Sequence, residues 1–228
     1  MNLSAQQQQY LSAMGIQLWI SNEADGEASV DAMSEVVPEV SQSAAVIWAE
    51  LEDKVKGCVA CGLDKTRKNT VFGVGNRQAE IMFVGEAPGQ QEDLKGEPFV
   101  GRAGQLLNAM LQAIDVKRED VFISNILKCR PPNNRDPLPD EVKHCTDFLV
   151  RQIDLIQPKI ICALGRVAGQ YLLDTQLPLG KLRNRVHQYR KTRTPLVVMY
   201  HPAYLLRTPS AKRKAYEDLL LMKRQLKG

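Results

Sequence analysis

The sequence predicts an α/β fold, three layers deep (α/β/α), on a mainly four-stranded parallel sheet. Four short apolar runs rich in β-branched residues, Ile81–Val84, Val121–Ile123, Ile160–Leu164 and Leu196–Met199, read as strands buried on both faces. Between and after them lie longer stretches with helical patterning, Ala103–Ile114, Pro139–Ile156, Arg166–Leu173 and Ser210–Leu226. The resulting β-α-β-α order requires crossovers, and crossovers place helices on both sides of a parallel sheet.

The N-terminal part reads differently. Residues 1–20 contain a short semi-apolar stretch, Tyr10 to Ile20, and residues 21–42 are acidic, rich in Ser, Glu and Val, and without periodicity. The second segment is expected to be a disordered linker. The globular domain is expected over residues 43–228, opening with an amphipathic helix Ala44–Lys56 that carries Val46, Trp48, Leu51 and Val55 near one face. Pro139 suits a first helical turn, and Asp140 and Glu141 complement the helix dipole there.

Charge narrows the function. The net charge is +4, yet the first 53 residues hold nine acids and no Lys or Arg; the rest has 30 basic and 17 acidic residues, a net of +13. A body that basic points to a polyanion such as nucleic acid. No run approaches the roughly 18 apolar residues of a membrane span, and the N-terminus lacks the marks of a secretory signal. A cytoplasmic monomer is expected. Five cysteines in a reducing compartment then suggest metal ligation or burial rather than disulfides.

In an open parallel sheet the ligand lies beyond the carboxyl ends of the strands. The informative loops are therefore expected after Val84, Ser124, Leu164 and Tyr200, and the first, second and last of these carry the motifs. The first runs Gly85-Glu86-Ala87-Pro88-Gly89, continues through Glu92-Asp93, and ends at Gly96-Glu97-Pro98-Phe99-Val100-Gly101-Arg102. Its glycines allow close backbone approach; by itself such a turn also suits a phosphate, but Glu86 and Glu92 would repel one. The second begins at Asn125, whose amide can read a base edge or merely cap a turn, and carries Lys128, Arg130 and Arg135. The last, His201-Pro202-Ala203-Tyr204-Leu205-Leu206-Arg207, sets an imidazole beside leucines suited either to a base-stack wedge or to a core. Cys58 and Cys61 form a CxxC, with Cys129 and Cys145 far downstream; four thiolates suit zinc or an iron–sulfur cluster, and spacing alone does not choose. Cys162 lies within a strand and reads as a core residue.

Together, GEAPG…ED…GEPFVGRAGQLL, SNILKCRPPNNRDPLPDE and HPAYLLR resemble the family 4 uracil-DNA glycosylases, over roughly residues 45–228. The resemblance implies a monofunctional enzyme that flips uracil from single- or double-stranded DNA, hydrolyses its glycosidic bond and leaves an abasic site. It implies that Phe99 stacks on the base, with Gly85 and Ala87 beside it, that Asn125 binds the polar edge, that Glu92 sits near C5, and that His201 faces O2. Leu205 would fill the gap in the duplex with Leu206 and Arg207 in support. Arg102, Lys128, Arg130 and Arg135 would meet the backbone. It also implies that Cys58, Cys61, Cys129 and Cys145 hold a [4Fe–4S] cluster. Where family 1 enzymes carry an Asp this chain has Ala87, which leaves Glu86 as the candidate to position water. Two neighbours are disfavoured: the covalent uracil-DNA-binding family has an extra His-containing loop after the Asn segment, and family 5 lacks this Glu86. The rival reading from another class is a non-catalytic Fe–S DNA-binding or replisome adaptor. Finally, residues 10–20 resemble the peptide by which the psi subunit of the bacterial clamp loader binds its chi subunit, which implies chi as a partner.

Overall fold

The computed structural model describes residues 44–226. The expected tail and linker, including the stretch 10–20 for which chi is the expected partner, lie outside the described residues. Helix α1 (Ala44–Lys56) opens the domain. The order then runs β1 (Val74–Gly75), β2 (Ile81–Gly85), α2 (Gln90–Lys95), α3 (Arg102–Gln112), β3 (Phe122–Asn125), α4 (Pro139–Ile156) and β4 (Ile160–Leu164). It closes with α5 (Arg166–Leu173), α6 (Leu179–Leu182), β5 (Val186–Gln188), β6 (Pro195–Met199), α7 (Pro202–Arg207) and α8 (Lys212–Gln225).

The sheet has six strands in the order β1-β3-β2-β4-β6-β5. The inner four pair in parallel and are the four that the apolar runs predict. The two edge strands pair antiparallel and escape the sequence reading, because one has two residues and the other three, mostly exposed. Successive strand residues point to opposite faces, which splits the core in two. Met82, Val84, Ile161 and Val198 pack with Trp48 and Leu51 of α1, Leu149 and Ile153 of α4, and Leu172 of α5. Ile81, Phe83, Cys162 and Val197 pack with Leu107 and Leu111 of α3, Leu205 of α7, and Leu219 and Met222 of α8. This is the expected three-layer architecture.

One detail of α1 differs from expectation. Trp48, Leu51 and Val55 are buried, but Val46 is 45% exposed. It stands two residues before Trp48, about 200° around the helix, and so faces outward. Among the described residues no helix is long and apolar enough to cross a membrane.

Candidate active site

The carboxyl ends of β2, β3 and β6 open into one cleft of about 450 Å³, lined among others by Glu86, Glu92, Phe99, Asn125, His201 and Arg207. Residues from three loops, separated by more than a hundred positions in the chain, thus meet where the topology predicts.

Gly85 and Asn125 end adjacent strands in register. A Cβ on Gly85 would stand 2.3 Å from Asn125 Oδ1 and 2.9 Å from Phe99 Cζ. The glycine therefore sits behind the pocket and lets the amide and the ring close over it. Asn125 is buried, and its Oδ1 is, among the described residues, the buried side-chain oxygen or nitrogen that has no hydrogen-bond partner. Such an atom costs stability unless a ligand donor reaches it.

Phe99 has φ of 53°, a left-handed backbone that an aromatic residue seldom adopts. The turn is held from several sides. Glu92 Oε1 accepts the amides of Val100 and Gly101, each at 3.0 Å, and Arg118 Nη2 donates to the Pro98 carbonyl at 2.7 Å. Gly104 lies against Phe99, where a Cβ would strike its carbonyl oxygen at 1.8 Å. Strain of this kind persists only where the surroundings impose it, and it concentrates at working sites.

His201 N-caps α7 by accepting the Ala203 amide at Nδ1, 3.1 Å away. That bond fixes the tautomer: Nδ1 carries no proton, so Nε2 is the N–H donor. Burial, with Arg207 adding to it and Glu92 opposing, pulls His201 down to about 4, so the imidazole is neutral at physiological pH. Its ring centroid is 5.6 Å from that of Phe99. Glu86 behaves oppositely. Burial, reinforced by the Asp136 carboxylate and opposed by Arg166, pushes it up to about 7. Asp136 also lines the cleft and pairs with Arg166 at 2.8 Å.

Several expected DNA contacts need correction. Lys128 is 1% exposed, with its ammonium enclosed by Ser124, Asn125 and Gln152, so it cannot meet a phosphate. Leu205 is 1% exposed and packs in the core with α3 and α8, so it is not the wedge. The exposed apolar residues of α7 are Tyr204 and Leu206, at 37% and 36%. Arg135 lines the cleft but commits its fork to Glu141, at 2.6 and 2.8 Å, as a brace rather than a free cation. Arg102 and Arg207 are exposed; Arg130 is partly buried with its Nε on Asn134 Oδ1. Asp136, Arg166, Tyr204 and Arg118 are site residues that the sequence reading missed, because each gains its place only through tertiary packing.

The four cysteines Cys58, Cys61, Cys129 and Cys145 line one small cavity of about 10 Å³. Among the described residues no three His, Cys, Asp or Glu side chains converge closely enough to hold a single metal ion. Arg67 Nη1 donates to Cys129 Sγ at 3.0 Å, and the Lys128 amide donates to Cys145 Sγ at 3.2 Å. Burial pushes Cys145 up to about 11, with Lys128 opposing. Cys162 is fully buried in the second core, as its sequence context implies.

Residues 72–223 match the model of the Uracil DNA glycosylase superfamily. The chain belongs to that superfamily. A type-4 uracil-DNA glycosylase of Archaeoglobus fulgidus is 49% identical over 171 residues, covering 72% of this chain and 85% of that protein. Type-4 uracil-DNA glycosylases of Saccharolobus solfataricus and Thermotoga maritima are 45% and 43% identical, over 85% and 89% of their lengths. The chain therefore falls in the type-4 branch of the superfamily. Cys58 and Cys61 precede the matched region, whereas Glu86, Asn125 and His201 lie inside it.

Proposed function

We propose that this protein is a monofunctional uracil-DNA glycosylase of base excision repair. The observation that carries the reading is Asn125 Oδ1, a buried acceptor without a partner, facing a cleft beside an aromatic ring. Uracil presents a donor at N3, flanked by carbonyl acceptors, and an Asn amide can meet one of each. Phe99 offers the stacking surface that a base extruded from the duplex requires. Glu92 lines the same cleft, where a thymine methyl at C5 would meet it.

Breaking the glycosidic bond leaves negative charge on uracil and positive charge on the sugar. His201 is neutral with Nε2–H free, so it can stabilise the leaving anion without first giving up a proton. Glu86 and Asp136 line the cleft and would supply the opposite sign for the sugar, with Glu86 assigned to orient the attacking water. Among the described residues no lysine lines the cleft, and the ammonium of Lys128 is enclosed behind the strand, so a Schiff-base lyase step lacks its nucleophile there. Arg102, Arg130 and Arg207 are the cations left to meet phosphates.

We propose that the four cysteines hold a [4Fe–4S] cluster: they line one cavity, and among the described residues no three His, Cys, Asp or Glu side chains converge closely enough to hold a single ion. When bound, such a cluster supplies a structural cross-link between the Cys58–Cys61 turn and the segment after Asn125. About four irons per chain and a brown preparation are expected; one zinc in a colourless preparation would contradict this. For residues 10–20 we retain the chi subunit as partner; a Trp19→Ala chain that binds chi as well as wild type would refute it.

The activity is tested with an oligonucleotide holding one uracil. Free uracil should appear while the strand stays intact until alkali is added. Enzyme-dependent strand breaks without alkali would refute the monofunctional assignment. No uracil released by protein with its iron in place would favour the adaptor.

A further inference from the structure

A buried lysine is costly unless each hydrogen of its head is matched. Lys128 meets that condition. Its Nζ donates to Ser124 Oγ at 2.6 Å, to Gln152 Oε1 at 2.7 Å and to the main-chain oxygen of Asn125 at 2.9 Å. Three acceptors match the three hydrogens of an ammonium. The acceptors are themselves fixed: Gln152 Nε2 donates to the Phe72 carbonyl at 2.9 Å, and Ser124 Oγ lies 3.2 Å from the same oxygen. The backbone of Lys128 is equally engaged. Its amide donates to Cys145 Sγ at 3.2 Å, and its carbonyl accepts the Val71 amide at 2.8 Å.

We propose that Lys128 is a positioning residue for base recognition, which anchors the Asn125 backbone from behind and ties that anchor to the cysteine site. The inference rests on the glycosylase reading above. Asn125 ends β3, and its Oδ1 has no hydrogen-bond partner among the described residues. Its amide packs close to Gly85 and is held from behind through its backbone, where the Lys128 head is a side-chain donor. An apolar residue would fill the volume but hold none of the three oxygens. An arginine is longer, with a planar head, and would not present three converging donors in this space. The other end of the same residue is joined to Cys145, so displacement of that cysteine would be felt at Asn125 through one residue.

The test compares wild type, Lys128→Met and Ser124→Ala, each checked for iron content and melting temperature. Two quantities are then measured: affinity for duplex DNA holding a stable abasic analogue, and the single-turnover rate of uracil release. Abasic DNA engages the phosphate contacts but offers no base to Asn125. Lys128→Met is expected to lose about 10- to 100-fold in rate, the scale of an ångström-sized misplacement, with abasic affinity unchanged. Ser124→Ala, which removes one acceptor and little volume, should lose about fivefold, the worth of an ordinary hydrogen bond. A folded Lys128→Met with the wild-type rate would overturn the proposal. So would a loss that merely follows lost iron, or equal losses in rate and abasic affinity. If Lys128→Met does not fold, Ser124→Ala decides alone, and its wild-type rate would overturn the proposal. A wild-type protein that releases no uracil sinks the glycosylase reading instead, and that control is read first.

Discussion

Replacing Gly85 by alanine should disable the base pocket while leaving the fold largely in place. The added Cβ would lie 2.3 Å from Asn125 Oδ1, and 2.9 and 3.0 Å from two carbons of the Phe99 ring. Ordinary contact begins near 3.4 Å, so the amide must retreat by about 1 Å and the ring by about half as much. Both groups line the cleft, so part of the shift can be taken up toward it. Overpacking here should cost about 1–3 kcal/mol of stability. The catalytic cost is larger. Misplacing a positioning group by about 1 Å costs about a hundredfold, or about 2.7 kcal/mol of barrier. The assay is single-turnover uracil release, with circular dichroism and a melt as fold controls. A folded Gly85→Ala protein within threefold of wild type would refute the reasoning that Gly85 exists to bring Asn125 and Phe99 together.

Three further outcomes are expected. If ionised Glu86 orients the water, the rate should fall as pH drops through about 7, where Glu86 takes up its proton; Asp136→Asn, which removes the neighbouring carboxylate, should move that limb to lower pH. A pH–rate profile unchanged in Glu86→Gln would contradict this. His201 binds its proton near 4 when folded, below the roughly 6.5 of an unfolded chain. The unfolded state therefore protonates first, and stability, full above about 6.5, should decline by up to about 3 kcal/mol as pH falls toward 4. His201→Gln should lack that slope in denaturant titrations. Leu205→Ala should destabilise by about 2–5 kcal/mol as a core deletion. Leu206→Ala should instead weaken excision from duplex DNA more than from single strands, and an equal loss on both would contradict a wedge role for Leu206.

Most of the fold was legible because parallel strands buried on both faces leave continuous apolar runs, and because crossovers demand helices between them. The site was legible at strand ends. Gly85, Asn125 and His201 each stand where a run stops, and the topology brings those stops together. Burial of polar groups was not legible. Lys128 sits in a basic loop, and nothing local reveals that Gln152, 24 residues on, receives its head. Leu205 and Leu206 are adjacent, and in a six-residue helix the phase that buries one and exposes the other comes from packing against α3 and α8. Arg135 reads as a free cation in the sequence, and its pairing with Glu141 across the turn depends on the fold. Edge strands of two or three residues leave no periodicity to read.

The most direct test of the central claim is excision measured side by side on one oligonucleotide sequence carrying uracil, thymine or cytosine at a single position, with wild type and Asn125→Ala. Wild type should release uracil and leave thymine and cytosine in place, and Asn125→Ala, folded and with the same metal content as wild type, should lose that activity. Asn125→Ala as active as wild type, or equal release of uracil and thymine, would contradict the assignment of this cleft as a uracil pocket.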